Sequence, residues 1–109
     1  MDKQWKASPY RYLDGKSWNE DRYEIFVWEN GKWENVGGAI RKWGGKTIAW
    51  LCLPNTKYDI RTPRDAEQKT DGLYVWGVTV KDALNNLKAT YPHPTDTLRG
   101  WLARVISTF

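Results

Sequence analysis

The sequence predicts an α+β fold, an antiparallel meander sheet of three to four strands followed by two C-terminal helices packed on it. Three observations predict it. Asn30-Gly31 stands between apolar runs, a strong hairpin signal because both central residues of a type I′ turn need positive φ. Paired glycines at 37–38 and 44–45 punctuate the β-branched and aromatic segment that follows. Beyond residue 78 the apolar period changes from that of a strand to that of a helix. The 109 residues suit one domain, with little room for a second core.

Residues 1–21 mix Trp5, Tyr10, Tyr12 and Trp18 with Pro9, Gly15 and balanced charges, which reads as an irregular aromatic arm with at most a short strand at 10–13. The meander spans 22–53. Its first hairpin joins 22–29 to 32–36, and a two-residue loop pairs Glu29 with Lys32, Trp28 with Trp33, Phe26 with Asn35 and Ile25 with Val36. Trp28 and Trp33 fall at a non-hydrogen-bonded pair, where side chains approach most closely. One face of the hairpin then carries Phe26, Trp28 and Trp33, and the other Tyr23, Ile25, Val27 and Val36. Gly37-Gly38 permits a bulge or bend, the strand resumes at 39–43, and Gly44-Gly45 returns the chain into a strand ending at Pro54. Residues 54–72 are polar and read as a long surface loop. A strand is expected at 73–78. Thr79-Val80-Lys81-Asp82 then has the form of a capping box opening a helix over 79–91. In a second helix, over 96–108, Leu98, Trp101, Leu102, Val105, Ile106 and Phe109 form an amphipathic stripe.

Net charge is +4, and its distribution says more than its size. No acidic residue lies between Glu34 and Asp59, where Arg41, Lys42, Lys46 and Lys57 fall; the other 13 of the 17 basic residues balance the 13 acidic ones. Such a local basic, aromatic segment can attract phosphate or an acidic protein surface. No apolar run is long enough to cross a bilayer, and the first dozen residues lack a signal-peptide core. With a lone Cys52, a cytoplasmic protein that does not engage membranes is expected.

Catalytic patterns are weak. Gly45-Lys46-Thr47 resembles the end of a phosphate loop, but Ile40 stands where that motif needs glycine, and a strand rather than a helix follows. Asp59, Glu67 and Lys69 have the residue types of a Mg²⁺ nuclease site, but metal-assisted hydrolysis needs carboxylates converging from rigid elements. His93, the only histidine, sits between Pro92 and Pro94 and reads as part of a rigid connector. Cys52, flanked by apolar residues, reads as core. No catalytic residue, metal site or cofactor is therefore expected, and the chain reads as a non-enzyme.

The residues that remain point to binding. Phe26, Trp28 and Trp33 can supply aromatic contact area, and Arg41, Lys42, Trp43 and Lys46 a basic turn beside it. The first reading is a protein that sterically occupies a host protein, in the manner of an inhibitor. The second is a single-stranded nucleic-acid binder that stacks bases and contacts phosphates.

Around Ile48-Ala49-Trp50-Leu51-Cys52-Leu53-Pro54 the chain resembles a group of small phage and prophage proteins of unknown function that close a strand on W-x-x-L-P. Trp50, Leu53 and Pro54 match, while Cys52 replaces the usual proline. The resemblance covers residues 22–54. It implies a mobile-element origin and carries over no functional residue.

Overall fold

The computed structural model describes residues 4–11, 18–42, 44–52 and 60–107. Among them, five strands form one antiparallel sheet in chain order: β1 (Trp5–Arg11), β2 (Trp18–Glu29), β3 (Lys32–Lys42), β4 (Lys46–Leu51) and β5 (Tyr74–Gly77). Three helices accompany it, α1 (Pro63–Lys69), α2 (Val80–Thr90) and α3 (Pro94–Ser107). The α+β class and the antiparallel meander stand, with one strand and one helix more than the sequence predicts.

The first hairpin turns as expected. Asn30 and Gly31 adopt φ of 55° and 77°, and Trp28 pairs with Trp33 and Phe26 with Asn35. Beyond that point the expected register fails: Ile25 pairs with Gly37, not Val36. Val36 is the extra residue of a β-bulge, and its side chain is buried in the core. Asn35 fastens the bulge by accepting a 3.2 Å hydrogen bond from the Gly37 amide. The two glycines that follow make room for Trp50. A Cβ on Gly37 would stand 1.8 Å from the Trp50 carbonyl oxygen, and one on Gly38 would stand 2.7 Å from the indole.

Both faces of the sheet carry core. On one, Ile25, Val27, Val36, Ala39, Ala49 and Leu51 pack against Ala83 and Leu87 of α2 and Leu98 of α3. On the other, Ile40, Ile48, Trp50 and Cys52 pack against Ile60 and Ala66 of α1. This double covering explains why Thr47–Leu51 is an almost unbroken apolar run: every residue of it is buried. Among the described residues, no helix is long and apolar enough to cross a membrane.

Two segments differ from the sequence reading. The expected N-terminal arm contains β1, which pairs with β2 from Trp5 opposite Val27 to Arg11 opposite Trp18. Its alternation was obscured by Pro9, which an edge strand tolerates because its amide needs no ladder partner. The expected loop over 54–72 contains α1, whose start signal is Thr62-Pro63-Arg64-Asp65. The Thr62 hydroxyl accepts from the Asp65 amide at 3.1 Å, and the Asp65 carboxylate accepts from the amides of Thr62 (3.2 Å) and Arg61 (3.1 Å). The helix has only seven residues, so the apolar period that reveals longer helices never develops.

The amide hydrogen bond from Arg61, with help from Thr62 and the Lys69 charge, holds the Asp65 carboxyl below its ordinary value of 3.8. A depressed folded-state value means that this contribution to stability is fully present above about 3.8 and lost as pH falls through the lowered value. The difference in urea midpoint between wild type and Asp65→Ala is therefore expected to be constant from pH 7 to 5 and to shrink below pH 4. A difference independent of pH down to pH 2 would contradict the assignment.

Candidate binding surfaces

Period-two alternation along β2 puts Phe26 and Trp28 on the sheet face opposite α2 and α3, at the end that α1 does not reach. Trp33 joins them from β3. The two indoles meet edge to face, with centroids 5.3 Å apart and planes at 74°. Across β1, Lys6 pairs with Phe26, and its ammonium lies 4.2 Å from the Trp33 ring centroid and 5.5 Å from that of Phe26. Phe26 and Trp33 are half-buried, while Trp28 is 43% exposed. Further along the same face, roughly 20 Å from Trp28 along β2, the Arg22 guanidinium lies 4.5 Å from the Tyr10 ring. The result is one protruding indole set among aromatic rings and the Lys6 ammonium.

The basic turn lies elsewhere. Arg41 and Lys46 are exposed at the β3–β4 end of the sheet. Eight residues separate Arg41 from Trp33 along β3, a rise of roughly 26 Å. An even separation would keep both side chains on one face of a regular strand, but Val36 adds a residue and reverses the alternation. Arg41 therefore shares the helix-covered face with Ala39, whereas Trp33 lies on the opposite one. The single surface expected of Phe26, Trp28, Trp33, Arg41 and Lys46 is thus two surfaces, divided by distance and by the bulge. Lys42 ends β3 with its side chain outside the described residues, as is all of Trp43.

The remaining candidates are dispersed. Glu67 and Lys69 lie exposed on α1, Lys69 stands 4.0 Å from the Asp65 carboxylate, and Asp59 is outside the described residues. No group of three or more potential metal ligands occurs among the described residues. Cys52 is buried beside Trp50. His93 is exposed and its carbonyl accepts from the amide and hydroxyl of Thr97, at 3.0 and 3.1 Å. From the C-terminal stripe, Leu98 is buried, Trp101 donates from its indole to Asp71 at 3.0 Å, and Leu102 is 40% exposed; Phe109 lies outside the described residues.

Lys6 is the site residue that the sequence reading missed. Once β1 is recognised as a strand, pairing alone sets Lys6 beside Phe26. An exposed cation–π contact contributes roughly 0.5–1 kcal/mol. A double-mutant cycle of Lys6→Met with Trp33→Leu, measured by urea unfolding, is expected to give a coupling of that size, about 0.5–1 kcal/mol. Additive effects of the two substitutions would show that the ammonium does not rest on the ring in solution.

No protein-family model, curated protein or solved structure matches the chain.

Proposed function

We propose that the chain is a small non-catalytic binding protein that sterically occupies a host protein through the aromatic face of β1–β3. The observation that carries this reading is Trp28, 43% exposed at the tip of a hairpin whose other face is core. A large apolar side chain left in water beside half-buried aromatics is the anatomy of a binding hot spot, where tryptophan is enriched. Lys6 supplies a cation over the Trp33 and Phe26 rings, so a partner with an apolar pocket bordered by an acidic group is complementary to it. Single-stranded nucleic acid is the second reading, and the same rings support it less well. The Trp33 face already holds the Lys6 ammonium and the indoles stand at 74°, so no flat stacking platform is ready for a base. The proposal includes a cytoplasmic setting, in keeping with the single buried Cys52, and a phage or mobile-element origin, which rests on the short resemblance around Trp50 alone.

The test is affinity capture from bacterial lysate at near-physiological salt, with parallel titrations of single-stranded oligonucleotides. A protein retained by wild type and Lys46→Ala, but lost with Trp28→Ala, is the expected result. Equal retention by Trp28→Ala would overturn the reading. So would saturable oligonucleotide binding that needs Trp28, with affinity falling linearly in log–log salt dependence.

A further inference from the structure

We propose that a cleft between the β3–β4 turn and the start of α2 binds the phosphate group of a small phosphorylated ligand of nucleotide size. The open cleft has a volume of about 600 Å³ and lies on the helix side of the sheet, remote from Trp28. That volume falls within the range of roughly 300–1,000 Å³ usual for small-molecule sites.

Arg41 from β3 and Lys81 from α2 bring cations to it, with Lys46 of β4 at its rim, against one lining carboxylate, Asp21. None of the three makes an ion pair with a described residue. Unpaired like charges gathered in one cleft repel each other, and a bound dianion removes that repulsion. The backbone adds donors of the same sign. At the start of α2, the Thr79 hydroxyl takes the Asp82 amide at 3.1 Å and the Thr79 carbonyl takes the Ala83 amide at 2.9 Å. The amides of Val80 and Lys81 belong to the helix's first turn, which has no intrahelical acceptors for them, and both residues line the cleft.

An observation independent of the helix end points the same way. Thr47 is 1% exposed, lines the cleft, and its hydroxyl makes no hydrogen bond to a described residue. A group bound in the cleft can bond to that hydroxyl, which offers one donor and two acceptor positions. The arrangement is also held rigidly. Thr47 pairs with Gly77, and a Cβ on Gly77 would stand 2.4 Å from the Ala83 nitrogen, so β5 carries the first turn of α2 directly beside Thr47. Convergence of the cations on one cleft, rather than their spacing along a groove, favours a compact phosphate over a nucleic-acid strand.

Calorimetric titration of the whole chain at 150 mM salt with inorganic phosphate, pyrophosphate, AMP and ADP, with sulfate as the comparison anion, tests the proposal. Saturable binding of at least one phosphorylated probe more tightly than sulfate is expected. Arg41→Ala and Lys81→Ala should each weaken it by about tenfold or more, Thr47→Val should weaken it, and Trp28→Ala should leave it unchanged. Absence of saturable binding, sulfate binding equal to phosphate, or affinity untouched by Arg41→Ala and Lys81→Ala would overturn it. Preference for a single-stranded oligonucleotide over every small phosphate would overturn it in favour of a nucleic-acid partner. Loss of binding with Trp28→Ala alone would place the ligand at the other surface and equally overturn it.

Discussion

One inserted residue in β3 sets the layout of the molecule. Val36 has no partner of its own on β2, and the strand beyond it presents the reverse alternation of side chains. Before the bulge, Trp33 and Asn35 share the face of Phe26. After it, Ile40 occupies that face and Arg41 the other. Just beyond it, β3 runs so close to β4 that only glycine fits at 37, and Gly38 leaves its face free for the Trp50 indole. Position, packing and surface chemistry of the central strands therefore descend from a single irregularity.

Its consequence is a sheet with unequal faces. α2 and α3 cover one face, whereas α1, a single pair of helical turns, covers only the β3–β4 part of the other, around Ile40 and Trp50. Trp50 anchors the covered half at 1% exposure, although its indole N–H is buried without a partner among the described residues. Leaving such a donor unmet costs roughly 1–3 kcal/mol, which the burial of the rest of the ring must outweigh. Trp28, from the same residue type on the same face, contributes no such burial. That contrast, rather than the abundance of tryptophan, is what separates core from surface here, and it leaves the β1–β3 half available to a partner.

Much of this was legible in the sequence and some was not, for identifiable reasons. Asn30-Gly31 announces its own φ values, so the turn, the Trp28–Trp33 pair and the choice of faces near it could be read directly. Thr79 and the spacing of Ala83, Leu84 and Leu87 announce α2. The bulge could not be placed, because Gly37-Gly38 marks a region of freedom without saying which neighbour is inserted. Hence the sequence sets Arg41 beside aromatics that lie roughly 26 Å away. The β1 strand was hidden by its proline, and with it Lys6. Lys81 and Thr47 looked like a helix charge and a strand residue; only the pairing of β4 with β5 brings them to one cleft.

The two ends of one sheet face differ in kind, core at Trp50 and exposed surface at Trp28. Urea unfolding of Trp50→Ala and Trp28→Ala tests this most directly. Truncating a buried tryptophan costs about 3–5 kcal/mol, whereas Trp28→Ala should lose little beyond its aromatic pair, about 0.5–1.5 kcal/mol. Equal losses for the two variants would mean that Trp28 is structural, and the surface assigned to binding would be core.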